Sequence, residues 1–203
     1  MADSSVTSVT RQMAREALVS AIRDFLDADG WLTGAIDPVH LRDTPERVVR
    51  MYEELFSGAS EDPQSALSTI FPGGGEEMVT VYDIPMASVC AHHILPFYGR
   101  AHVGYIPRDG QVIGLSKIPR LVDVLSRRPQ VQESLTSQIA DHLMESKLRP
   151  RGAVVCIDAV HTCMACRGIR TPAVTRTTAI RGVFRDEPSA LSEFLKAVKR
   201  LEI

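Results

Sequence analysis

Two short stretches hold the residue types best suited to chemistry. The first is Cys90-Ala91-His92-His93; the second is His161-Thr162-Cys163-Met164-Ala165-Cys166-Arg167-Gly168. The chain has four cysteines and six histidines. Six of those ten residues fall in these two places. A thiol and an imidazole three positions apart can reach one metal ion from a single turn, and zinc accepts both donors. Each stretch alone leaves a tetrahedron half filled, so the two segments are expected to meet.

Three arrangements fit that spacing. Cys90, His93 and Cys163 can hold zinc with the fourth position open, as in a catalytic site. Cys166 can take the fourth position and close a structural site. The residues can also pack without metal. His92 and His161 favour the open site, because a structural zinc has little use for two extra imidazoles. Two thiolates offset the charge of the ion and weaken its acidifying effect on water. A nearby base is then useful, and imidazole titrates in the right range. Orientation of a ligand by hydrogen bonding is the plainer role for either histidine. The zinc deaminase pattern is absent: no histidine is followed two places on by glutamate, and Thr162 rather than proline precedes Cys163. The His-Glu-x2-His pattern of metalloproteases is absent too.

Other positions suit an anion and a base. Lys117 and Arg120 lie three apart at an expected helix start, after Gly114-Leu115-Ser116. Cations there do not serve the helix dipole but suit an anion bound with the free amides. Arg167 adds a cation four residues after Cys163. Arg47 and Arg50 share a helical face. Gln132-Glu133 opens another helix. An acid there can be a dipole partner, or it can accept two hydrogen bonds from a guanine edge, with the amide adding a further contact.

The elements that must position these groups follow from pattern. A length of 203 residues and an apolar fraction of 44% suit one domain with a helical appendage. Net charge is -2, which gives no general case for nucleic acid or membrane. No signal-like or spanning stretch is read, and the cysteine content suits a reduced, cytoplasmic protein. Residues 1–8 are expected to be disordered. A helix is expected over 10–27, with Met13, Leu18, Ile22, Phe25 and Leu26 on its core face. A second starts at Thr44-Pro45-Glu46, burying Val48, Val49, Tyr52, Leu55 and Phe56. Residues 57–77 read as a loop. Strands are expected over 78–84 and 100–106, with a hairpin at Asp109-Gly110 leading to a strand over 112–115. Helices follow over 116–126, with Ile118, Leu121, Val122 and Leu125 at core spacing, and from Pro129, with Val131, Leu135, Ile139 and Leu143 inward; then come strands over 153–160 and 174–184, and a last helix over 189–201. This order describes an α+β fold, an antiparallel sheet backed by helices. A helical region over 1–60 precedes the main domain over 61–203.

The chain resembles GTP cyclohydrolase I. Thr44-Pro45-Glu46-Arg47, Cys90-Ala91-His92-His93, Tyr105-Ile106-Pro107, Gly114-Leu115-Ser116-Lys117, Arg127-Arg128-Pro129-Gln130-Val131-Gln132-Glu133, His161-Thr162-Cys163, Arg167-Gly168 and Gly182-Val183-Phe184 carry the resemblance. They run in family order over about residues 40–200. The resemblance implies a tunnelling fold assembled into a ring, a homodecamer of two stacked pentamers with sites between subunits. It implies conversion of GTP and water to formate and 7,8-dihydroneopterin triphosphate, which leads to folate and other pterins. By position it makes Cys90, His93 and Cys163 zinc ligands, and His92 and His161 proton-transfer residues. Glu133 with Gln132 would hold guanine, and Ser116 would lie near the ribose. Lys117, Arg120 and Arg167 would bind the triphosphate, with Arg47 and Arg50 contributing. Two departures stand out. Ala91 replaces the usual glutamate of Cys-Glu-His-His, and Cys166 is not a residue that the family requires. They keep two rivals in view: a noncatalytic pterin- or nucleotide-binding paralogue with a closed zinc site, and a cyclohydrolase for another purine nucleotide.

Overall fold

A computed structural model describes residues 4–27, 30 and 36–198. The chain divides into two compact units, Met1–Glu54 and Leu55–Ile203. The first unit holds helix α1 (Ser4–Asp27), the short α2 (Pro38–Leu41) and most of α3 (Thr44–Leu55). Helix α1 begins well before Thr10, so residues 4–8 are helical in backbone rather than disordered. Residues 1–3 lie outside the described residues. The expected core face of α1 is covered only in part: Ile22 and Leu26 are half-buried, whereas Met13, Leu18 and Phe25 are exposed. On α3 only Pro45 and Val49 are buried, although Glu46 accepts a 2.8 Å hydrogen bond from Arg23 of α1.

The second unit begins with a 3-10 turn (Ser57–Ser60) and α4 (Pro63–Ala66). It then runs β1 (Ile70–Pro72), β2 (Val79–Cys90), β3 (Leu95–Ile106), β4 (Gln111–Ile113), α5 (Lys117–Ser126), β5 (Pro129–Gln130) and α6 (Gln132–Glu145). It finishes with β6 (Gly152–His161), α7 (Thr162–Ala165), β7 (Val174–Gly182), α8 (Val183–Asp186) and α9 (Pro188–Ala197). The main sheet has the order β5-β2-β3-β6-β7. All neighbours are antiparallel except β5, which runs parallel to β2. The α+β expectation therefore holds, with three local corrections. Strands β2 and β3 are longer than read, because the Cys90 stretch is itself the turn between them. Strand β4 pairs with β1, in a segment read as loop, rather than with β3 across Asp109-Gly110. Phe184 leaves the strand at Gly182, whose positive φ of 58° suits glycine and where a Cβ would meet the Arg151 carbonyl at 2.2 Å.

Each face of the sheet has its own core. Side chains at alternate positions, Ala101 and Val103 of β3 and Val155, Ile157 and Ala159 of β6, pack with Leu121 and Leu125 of α5 and Leu135, Ile139 and Leu143 of α6. The helical spacing read for α5 and α6 thus points inward as expected, except that Val131 precedes α6 and is half-buried. On the opposite face Val154 and Cys156 pack with Phe184, Phe194 and Val198. Cys156 is a small core residue, and burial pushes its thiol up.

That second face also contains polar groups. Asp158 is 1% exposed and accepts two hydrogen bonds from Arg176, directly across the β6–β7 ladder. His102 is equally buried, and its Nδ1 accepts the Asp83 N–H at 3.1 Å. Asp83 sits at a bulge in β2 with φ of 55°. Burial lowers the His102 pKa below its ordinary 6.5; Asp83 and Asp158 oppose that, while Arg176 and Arg100 reinforce it.

Two stability effects follow. Arg176→Ala strips a buried carboxylate of its guanidinium, and should cost about 3–5 kcal/mol, read as a large fall in thermal midpoint; an unchanged midpoint contradicts this. A His whose folded pKa is depressed leaves the unfolded chain binding more protons below pH 6.5. Stability should therefore fall as pH drops through that value, and His102→Gln should flatten part of the fall at fixed protein concentration.

Candidate metal centre and substrate cavity

The first wall of the site is the β2–β3 turn. Cys90 pairs with Leu95, and the Ile94 N–H donates to the Cys90 carbonyl at 2.8 Å. Ala91, His92 and His93 project from this turn and are exposed, whereas Cys90 is buried. His92 Nδ1 lies 3.9 Å from the Cys90 sulfur.

The second wall is the start of α6. Strand β5 pairs Gln130 with Cys90, and the Ala91 N–H donates to the Gln130 carbonyl at 2.9 Å. The Gln130 side chain donates to the Leu125 carbonyl and to Gln138. This short parallel pairing brings Gln132 and Glu133 beside Cys90.

The third wall is the β6–α7 junction. His161 ends β6 opposite Phe97, and the two rings stack with centroids 4.6 Å apart and planes 7° apart. Thr162 donates to the Pro96 carbonyl at 2.6 Å, which holds the junction against β3. Cys163 follows in the first turn of α7.

Together these walls enclose a cavity of about 330 Å³, lined by Cys90, His92, His93, Gln130, Val131, Gln132, Glu133, His161, Cys163, Met164 and Thr175. The structure thus brings together seven of the expected site residues: Cys90, His92, His93, Gln132, Glu133, His161 and Cys163. Ligand atoms of Cys90, His161 and Cys163 lie within 4.8 Å of one another. His93 lines the same cavity outside that group. Cys166 is exposed and is not among the residues lining the cavity.

The donor chemistry fits a soft divalent cation. Burial and then the neighbouring Cys90 sulfur push the Cys163 thiol up, with Arg167 opposing. The Cys163 thiol so placed resists ionisation, and a cation between the two sulfurs reverses that preference. Burial lowers the His161 pKa, partly offset by Glu133, which favours the neutral ring that ligates or accepts a proton.

The other expected residues are not among those lining this cavity. Lys117 and Arg120 occupy the first turn of α5, whereas the segment that follows this helix enters the cavity lining only at Gln130, after the helix ends at Ser126. Ser116 precedes that helix and is exposed, as is Arg167. Arg47 and Arg50 are exposed on α3 of the N-terminal unit; Arg47 donates to the His40 carbonyl and to Thr44. Gln132 lies in the cavity wall but is only 1% exposed. Sequence reasoning did not find Phe97 or Thr175, which no motif marks. Phe97 follows Cys90 at a distance set by the turn, and Thr175 reaches the cavity through the β6–β7 register.

An α+β sheet that gathers two cysteines, three imidazoles and a carboxylate around one cavity has the donor set of a metal-binding enzyme site. The chain belongs to the GTP cyclohydrolase I family, whose model it matches over residues 19–199. It is 47% identical over 193 residues to GTP cyclohydrolase 1 of Bacillus subtilis (strain 168), covering 94% of this chain and 98% of that protein. It is 50% identical over 185 residues to GTP cyclohydrolase 1 of Carboxydothermus hydrogenoformans, covering 91% and 94%. It is also 50% identical over 198 residues to GTP cyclohydrolase 1 of Mycolicibacterium gilvum, covering 97% and 96%.

Metal content gives the direct check on this geometry. Cys90→Ser and Cys163→Ser should each lose most bound zinc by elemental analysis, while Cys166→Ala keeps it. Full zinc in either serine variant contradicts the assignment.

Proposed function

We propose that the protein is a zinc-dependent GTP cyclohydrolase, converting GTP and water to formate and 7,8-dihydroneopterin triphosphate. One observation carries the reading in this family: Cys90, Cys163 and the imidazoles share a cavity with Glu133. Cys90 and Cys163 would hold zinc with His93, which shares the Cys90 turn and is exposed enough to reorient onto the ion. Bound there, zinc supplies Lewis acidity that lowers the pKa of water.

The remaining chemistry belongs to the chain. Water adds at C8 of guanine and the imidazole ring opens to a formamide; a second water releases formate, and the ribose then opens, rearranges and closes into the pterin with loss of one water. Each stage moves protons, and His92 and His161 transfer them. The Glu133 carboxylate accepts hydrogen bonds from the guanine N1–H and 2-amino group, which selects guanine. Ala91 places a methyl where the family usually has a carboxylate, so more of the proton traffic falls on the two histidines.

The triphosphate needs cations that this cavity lacks. Among its lining residues there is no lysine or arginine. Lys117 and Arg120, with Ser116 toward the ribose, would therefore come from a neighbouring copy, joined by Arg167 and with Arg47 and Arg50 contributing. The sheet supports such an assembly. Among the described residues strand β7 has no partner on its outer side, and β2 is paired by β5 only at Val89 and Cys90. Two open edges on one twisted sheet can join successive copies and close a ring. A tunnelling-fold homodecamer of two stacked pentamers accommodates both the open edges and the incomplete cavity. Four free cysteines suit a reducing cytoplasm.

Zinc-loaded protein incubated with GTP should release formate and form the fluorescent pterin after oxidation. Glu133→Gln should lower kcat/KM for GTP about 10–100-fold, the loss expected for hydrogen bonds to a charged acceptor. A zinc-loaded wild type that yields no formate from GTP contradicts the reading.

A further inference from the structure

The Gln132 side chain forms one end of a buried network whose donors and acceptors can all be assigned. Its amide nitrogen lies 3.0 Å from the Ile157 carbonyl and 2.9 Å from the Thr175 carbonyl. Main-chain carbonyls only accept, so the NH2 end must face them, and it reaches Thr177 Oγ1 at 3.1 Å as well. The amide oxygen therefore faces His161 Nε2, at 2.8 Å. An amide oxygen only accepts, so Nε2 carries the hydrogen. In the neutral ring Nδ1 is then the nitrogen left with a lone pair. The network continues outward in one sense. Thr136 donates to the Gln132 main-chain carbonyl at 2.7 Å, so Thr177 donates to Thr136 across 2.6 Å.

We infer that Gln132 is a positioning residue that sets the tautomer of His161, rather than a contact to guanine. Its amide is engaged at both ends inside the protein, and only 1% of the residue is exposed. The Phe97 stack fixes the plane of the His161 ring, and Gln132 fixes its rotation within that plane. A ring held in both ways presents Nδ1 as its basic atom without searching rotamers or tautomers. The neighbouring Glu133 is exposed, so adjacent residues of α6 divide the work: one faces substrate, the other holds a histidine.

The kinetic part of this inference rests on the cyclohydrolase reading; the tautomer does not. Magic-angle-spinning 15N spectra of zinc-loaded, histidine-labelled protein report the tautomer, with His161 assigned by difference from His161→Gln. The wild type should show His161 as the Nε2–H form alone. Gln132→Leu should show a mixture, with kcat for GTP reduced about 10–100-fold and KM within about twofold. Thr177→Val removes one support of the amide while keeping its shape; it should shift spectrum and kcat in the same direction by a smaller factor, and decides the matter if the leucine variant does not fold. An unchanged His161 spectrum in a folded Gln132→Leu overturns the inference. So does a raised KM with unchanged kcat, which would return Gln132 to the substrate. If the wild type fails to turn over GTP, the functional reading falls while the spectra still judge the tautomer.

Discussion

The site depends on the register of β3 between its two neighbours. Cys90 pairs with Leu95 on one side and Phe97 with His161 on the other. Because strand side chains alternate faces, a slip of one residue in either ladder would turn the histidine or the cysteine away from the cavity. The register is in turn held by burial. Ala101, Val103, Val155 and Ile157 are fully buried against α5 and α6, so a slipped strand would bring polar neighbours into that core. The hydrophobic effect that folds the sheet thus also sets the distance between two thiols from remote parts of the chain.

The cavity joins buried, tightly contacted residues with exposed ones. His161 is held by a stacked ring and an amide, and Cys90 is buried at the end of a strand. His92 and His93 instead stand exposed on a turn. A metal ion joining Cys90, Cys163 and His93 would draw the turn onto the rigid wall, coupling metal binding to formation of the complete site. Glu133 lies on α6, apart from the two cysteines, so under the proposed function purine recognition and proton transfer would be carried by separate elements of one small cavity.

Much of this was legible in the sequence because it is local. The Cys-x2-His and His-x-Cys spacings marked the two segments that meet at the cavity, and the apolar spacing of Ile118, Leu121, Val122 and Leu125 marked the buried face of α5. What was illegible depends on pairing at a distance. The Cys90 stretch gave no turn signal such as Asn-Gly, so its place at the tip of a long hairpin is visible only once Cys90 meets Leu95. The pairing of β1 with β4 joins two three-residue strands too short for periodicity to mark. Gln132 read as a polar residue beside Glu133; its burial follows from the close approach of α6 to β6 and β7. The uncovered apolar residues of α1 show the same limit, since amphipathic spacing identifies a face without naming what covers it.

X-ray absorption at the zinc edge, on protein purified with the metal, tests the central claim most directly. The account predicts two sulfur scatterers at about 2.3 Å, with nitrogen or oxygen at about 2.0–2.1 Å completing the shell. A third sulfur would place Cys166 in the site and close it, and a shell without sulfur would remove Cys90 and Cys163 from the metal; either result contradicts the account.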